Sequence, residues 1–295
     1  MLTFPKKLNT IANNTNAYLK SFFLKQKSNS YLLQPMKYGV FSGGKRFRSA
    51  IVVNTGRIFN IDYKKLIIIG SAIECIHSYS LIHDDLPSMD NDELRRGKLS
   101  VHKKFNEFTA ILAGNSLLTL AFEILSGDNL QLPQNHKSEL IKTLSMCAGH
   151  SGLAGGQYSD LTFENKSILK KNIINMQKKK TGELFGFCCE SIAIIKGYNK
   201  KKRNKLKKLG LNIGLLFQIV DDIIDYKGAD SSIVGKYTKK DEKKGKATLI
   251  NLLGYKITLI FAKNLKNNLD HEIKKYGKNS KNLLASIEFL LNRKF

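Results

Sequence analysis

Only four prolines, Pro5, Pro35, Pro87 and Pro133, interrupt 295 residues. Between them, apolar side chains recur three and four positions apart over long stretches. That period predicts helices over 8–26, 65–85, 107–126, 137–153, 168–196, 204–227, 246–267 and 270–292. No series of alternating strands joined by turn dipeptides competes with it, so the expected class is all-α. Segments 107–126 and 211–224 are apolar nearly all round, which assigns them to the centre of a bundle or to a subunit interface. Lysine-rich breaks at 197–208 and 237–246 read as solvated loops. No linker is long or low-complexity enough to divide the chain, so residues 1–295 are read as a single domain.

Composition narrows the functional classes. The net charge is +25, carried by 42 lysines against seven arginines. With abundant Asn and Ile, this reads as lysine drift first, and as attraction of anionic substrates, nucleic acid or a membrane surface second. The lysine runs lack interleaved aromatics or a nucleic-acid-binding module, which disfavours a basic nucleic-acid-binding protein. Cys75, Cys147, Cys188 and Cys189 have no CxxC spacing and sit in apolar segments, as buried thiols of a reducing compartment do. The six histidines form no zinc pattern. The start MLTFPKKLNTIANN has no secretory apolar stretch, and no run of 18 apolar residues appears. The expectation is a soluble, cytoplasmic protein without a membrane span.

Two aspartate clusters carry the chemistry. One is LIHDDLPSMDND at 81–92, with Asp84, Asp85 and Asp90; the other is FQIVDDIID at 217–225, with Asp221, Asp222 and Asp225. Both follow strongly apolar helical stretches. Desolvating carboxylates is costly, and like charges four apart on a helix repel. A hard cation removes the difficulty, and magnesium commonly bridges carboxylates to substrate phosphates. Pro87 cannot continue a helix, so the one carrying Asp84 and Asp85 should end there, at the mouth of a cavity. Cations suited to phosphate surround the clusters. Gly43-Gly44-Lys45-Arg46-Phe47-Arg48 places three cations beside flexible backbone, and Arg95-Arg96-Gly97 follows the first cluster directly. Two adjacent arginines in a lysine-biased chain are not explained by drift, and their forks match phosphate oxygens. Lys180-Thr181, Gly235-Lys236 and Gly245-Lys246 are weaker signals, as is His77, seven residues before Asp84 and on its helix face.

With GGKRFR at 43–48, ECIHSYSLIHDDLPSMDNDELRRG at 74–97, GGQYSDL at 155–161, KTGELF at 180–185, FQIVDDIID at 217–225 and GK at 235–236, nearly the whole chain resembles the trans-prenyl diphosphate synthases, and among them the bacterial enzymes that make farnesyl diphosphate. The resemblance implies an isoprenoid-synthase-type helical bundle around a deep central cavity, usually a homodimer. It implies magnesium, three ions per site, held by Asp84 and Asp90 from one wall and Asp221 from the other, with Asp85, Asp222 and Asp225 completing the acidic shells. Arg95, Lys180 and Lys236 would hold the allylic diphosphate, with Lys246 as an extra contact. Lys45, Arg48, His77 and Arg96 would hold isopentenyl diphosphate. Thr181 and Gln218 would lie near the reacting carbon, and Arg293 resembles a terminal basic residue that closes over the site. Tyr79, five residues before the first motif, looks like the floor of a fifteen-carbon pocket, with Ser80 nearer the metals. The chain departs from the family pattern at Ser49, Asn115 and Lys239.

The reaction so implied joins isopentenyl diphosphate to dimethylallyl and then geranyl diphosphate, giving (E,E)-farnesyl diphosphate and free diphosphate. The same chemistry ending at geranyl or geranylgeranyl diphosphate is the nearest alternative, and an inactive supporting subunit a third.

Overall fold

The computed structural model describes residues 3–26, 31–227 and 245–292. Its helices are α1 Phe4–Lys25, α2 Leu33–Phe41, α3 Phe47–Ile58, α4 Tyr63–Asp84, α5 Val101–Lys104, α6 Glu107–Ser126, α7 Gln134–Ala148, α8 Leu153–Thr162, α9 Lys170–Gln177, α10 Glu183–Ile195, α11 Lys200–Lys227, α12 Leu249–Leu253, α13 Tyr255–Lys274 and α14 Lys281–Asn292. The helices α3, α4, α10 and α11 form the interior, and the others pack around them.

Helix α3 shows which force decides here. Every residue from Phe47 to Ile58 except Arg57 is buried, so the helix has no polar face and hence no 3.6 signature. Ile51-Val52-Val53 would lose up to about 0.7 kcal/mol each against alanine in helix propensity. Burying each contributes about 1.5–3 kcal/mol, and burial wins. A different cause hid α2 and α8: Pro35 at the third position of α2 and the glycines of α8 read as helix breakers. Residues 197–208, expected as a loop, are helical from Lys200 onward. The expected helices 246–267 and 270–292 divide differently, because Gly254 and Gly277 take φ of +77° and +72° and stop the chain on either side of α13.

Among the described residues one small sheet exists, a hairpin of β1 Leu94–Arg95 and β2 Lys98–Leu99. Its two-residue turn, Arg96-Gly97, has φ of +54° and +74°, the double left-handed pattern of a type I′ turn. Helices α4 and α6 are long and apolar enough to cross a membrane by length and composition, with 72% and 44% of their most apolar windows buried inside the fold. Helix α4 is a core helix; α6 turns Phe108, Ile111 and Leu112 outward. The four cysteines are free and buried.

Candidate active site

Helix α4 ends at Asp84, as Pro87 requires. The chain then folds back on the helix end: the Asp90 N–H donates to the Asp84 carbonyl at 2.8 Å and the Asp92 N–H to that of Asp85 at 3.1 Å. This return brings Asp90 beside Asp84. From the opposite wall, α11 supplies Gln218, Asp221 and Asp225, and the three line the same cavity of about 780 Å³ as Asp84. A smaller adjoining chamber of about 200 Å³ adds Asp90, Asp160, Asp222 and Lys246.

The cations enter from four segments. Arg95, on β1, donates through Nε to Asp85 Oδ1 at 2.9 Å and pairs with Asp92 at 3.6 Å. Arg96 donates to the Gly43 carbonyl, and its guanidinium lies over Gly44, where a Cβ would fall 2.6 Å from Cζ. Side chains are excluded there, and Gly43 and Gly44 have φ of +111° and +101°. Lys45 sits 5.2 Å from the centroid of the Phe289 ring, and Arg48 4.9 Å and 5.6 Å from those of Phe185 and Phe217. Arg46, in the left-handed region, bonds Asn16 at 2.9 Å and pairs with Glu74 at 3.6 Å, fixing the loop that carries its neighbours. Glu74 also accepts from the Ser49 N–H at 3.2 Å, a bond the proline usual at that position could not make.

Between α9 and α10 the helix widens into a π turn, Lys178–Gly182, a local distortion frequent at functional sites. It presents Lys180 and Thr181 to the cavity. The Thr181 hydroxyl donates to Gln218 Oε1 at 2.6 Å, and Gln218 Nε2 donates to Asp222 Oδ1 at 2.9 Å. Asp222 also accepts from Gln177 at 2.7 Å.

The structure therefore brings Lys45, Arg48, His77, Ser80, Asp84, Arg95, Arg96, Lys180, Thr181, Gln218, Asp221 and Asp225 to one cavity, with Asp90, Asp222 and Lys246 beside it. Asp85 is 2% exposed behind Arg95. Tyr79 is not among the lining residues; its ring meets His83 edge-on at 5.1 Å. Lys236, Lys239 and Arg293 lie outside the described residues. Asn115 is exposed on α6, away from the cavity. Sequence reasoning missed Glu74, a lone acid in a motif read for its metal-binding members, and Asp160, a lone acid in the glycine-containing GGQYSDL segment.

The acids fit magnesium. The donors are all hard oxygens. Burial pushes the Asp84 carboxyl up to about 6, against Lys180 and Arg95, while Asp90 and Asp85 add to the rise; a divalent cation would relieve this crowding. Among the described residues no three potential ligands converge on one point. An ion held here would complete its shell with phosphate oxygens and water, which is magnesium's habit. On the other side of the cavity, burial and then Arg48, Arg96, Arg46 and Arg95 hold His77 well below its ordinary 6.5, so it is neutral. Burial and neighbouring cations lower Arg96 to about 10. That cluster of like charges calls for an anion.

A family model for polyprenyl synthetases matches residues 29–287. The chain is 40% identical over 234 residues to the farnesyl diphosphate synthase of Geobacillus stearothermophilus, covering 78% of each chain. It is 37% identical over 298 residues to that of Haemophilus influenzae, covering 99% of each. A Helicobacter pylori geranyltransferase solved with magnesium and isoprenyl diphosphate superposes with a TM-score of 0.84 at 32% identity, covering 99% of this chain and 97% of that one.

Proposed function

Since the chain belongs to the polyprenyl synthetase family, we propose that this prenyltransferase joins isopentenyl diphosphate to dimethylallyl and then geranyl diphosphate, releasing farnesyl diphosphate and diphosphate. The observation that carries the reading is the facing of two acidic walls, Asp84 and Asp90 against Asp221 and Asp225, across a cavity whose far side is ringed by Lys45, Arg48 and Arg96. Two anionic heads of one reaction thereby have separate seats. Asp84, Asp90 and Asp221 would hold magnesium, three ions per site, with Asp225 completing the shell; Asp85 and Asp222 act through Arg95, Gln177 and Gln218. Bound magnesium supplies charge neutralisation at the diphosphate leaving group.

The protein's own groups do the rest. Arg95, Lys180 and Lys246 grip the allylic diphosphate; Lys45, Arg48, Arg96 and neutral His77 grip isopentenyl diphosphate. As the allylic carbon–oxygen bond breaks, positive charge develops on carbon. The Thr181 and Gln218 oxygens face it as fixed dipoles. Neither is nucleophile enough to trap it, because the Thr181 hydroxyl proton stays on Thr181, bonded to Gln218 Oε1. Phe217, Leu153, Ile224 and Phe289 give the cavity apolar walls that exclude water. The isopentenyl double bond attacks, and the lost proton goes to the departing diphosphate, so no dedicated base is needed.

The outward apolar side chains Phe108, Ile111 and Leu112 of α6 support a homodimer. Asp84→Ala and Asp221→Ala test the site: turnover should be lost while the circular dichroism spectrum stays that of the parent. Near-normal turnover in either variant would remove the metal assignment.

A further inference from the structure

Resting on that reading, we propose that Asp160 is the positioning residue of the allylic site: its single carboxylate gathers Lys180 and Lys246 into one pair that grips a diphosphate group. Its Oδ2 accepts from Lys180 Nζ at 2.6 Å and from Lys246 Nζ at 2.8 Å. The two lysines come from unconnected segments, one from the π turn and the other from the stretch leading into α12. Both segments are anchored on α8, either side of Asp160. On the N-terminal side Gly156 lies so close to the π turn that a Cβ would fall 2.1 Å from the Lys180 nitrogen. Past the C-terminal end, the Asn165 N–H donates to the Gly245 carbonyl at 2.8 Å. Asp160 thus stands at the junction that aims both ammonium groups into the chamber shared with Asp84, Asp90 and Asp221.

An anion inside an anion-binding site needs a reason, and electrostatics supplies it. Two ammonium groups this close repel, and a buried one without a counter-ion shifts toward its neutral form. Asp160, only 6% exposed, stays ionised: burial opposes this, but Lys180 and Lys246 together hold its carboxyl below the usual range. One negative charge between two positive ones leaves the trio itself net positive, with Asp90 at 3.0 Å and Glu164 at 3.8 Å as further acids on Lys246. Lys246 has a competing partner in Asp90 Oδ1, at 3.0 Å. Asp160 holds Lys246 in place from the other side, so that Asp90 can turn to a metal without the lysine losing its seat.

The test uses Asp160→Asn and Asp160→Glu in the full chain with magnesium. The measurements are KM for geranyl diphosphate and for isopentenyl diphosphate, and the Kd of inorganic diphosphate by calorimetry. In Asp160→Asn the allylic KM and the diphosphate Kd should rise about tenfold or more, as expected for losing a charged partner, with the isopentenyl KM within about twofold of the parent. Asp160→Glu, which keeps the charge, should recover part of the loss; if the Asn variant does not fold, Asp160→Glu alone should still show a raised allylic KM. An unchanged diphosphate Kd, or both KM values rising together, would overturn the inference. A parent protein that forms no prenyl product would overturn the functional reading instead, and the diphosphate titration would still decide the role of Asp160.

Discussion

Arg95 and Arg96 are adjacent in sequence and opposite in circumstance. Arg95 is clasped by Asp85 and Asp92 on the acidic side of the cavity, whereas Arg96 turns over Gly43 and Gly44 among other cations. Arg96→Ala should raise the KM for isopentenyl diphosphate by the roughly 1.5–3 kcal/mol of a charged hydrogen bond, leaving the allylic KM near its parent value. Arg95→Ala should do the reverse and also lower the melting temperature, because Asp85 is left buried without its partner. Equal effects on both substrates would refute the division. His77 gives a pH signature. Its pKa is depressed by burial and then by Arg48, Arg96, Arg46 and Arg95, so below about 6.5 the unfolded chain takes up a proton that the native state refuses. Stability should therefore fall as pH drops through that window, and His77→Gln should flatten the decline in melting temperature between about pH 7.5 and 5.5; identical curves would exclude His77 as a source. Both arginines were legible in the sequence because drift toward lysine does not produce an arginine pair. Asp160 was not, since an isolated aspartate in a glycine-rich stretch says nothing until the fold brings two lysines onto one of its oxygens.

Long apolar runs and one-faced helices were read well, and the short buried helix α3 was not. The expected helix 8–26 matches α1, whose buried Leu8, Ile11, Thr15, Leu19 and Phe23 mark one face, while α3 left no period to read, because nearly its whole circumference is core. The π turn was invisible for a related reason: it lies inside the expected helix 168–196 and changes only the spacing at which Lys180 and Thr181 emerge. The hairpin was missed because each strand is two residues long, yet its turn is what places Arg96 in the left-handed region. Helix α4 carries the prediction on product length. Ser80 lines the cavity four residues before Asp84, about one turn down the helix. Ser80→Phe should fill that space and shift output toward ten carbons. Tyr79 stands behind the wall against His83, which in turn contacts the Ile111 carbonyl of α6 at 3.1 Å. If it closes the floor of the pocket, Tyr79→Ala should release products of twenty carbons or more. Chromatography of the dephosphorylated products reads both; a fifteen-carbon product from both variants would place the length determinant elsewhere in the bundle.

Across the whole molecule, charge of one sign is abundant, with a net +25, but its use is local. The acids that survive in so basic a chain include those of two facing walls and those pinning the cations between them, as Glu74 does Arg46 and Asp160 does Lys180. The pairing organises a cavity that, on the proposed reading, would meet a metal-bound diphosphate on one side and a second diphosphate on the other. Helix packing around α3, α4, α10 and α11 holds these walls apart, and the apolar lining between them is where a cationic carbon could survive. The decisive property is whether that cavity makes carbon–carbon bonds, and to what length. Purified protein incubated with dimethylallyl diphosphate, isopentenyl diphosphate and magnesium, followed by chromatography of the dephosphorylated products, measures this directly. Farnesol is expected as the main alcohol, with no product when magnesium is chelated; no elongated product with magnesium present, or the same yield without it, would contradict the proposed function.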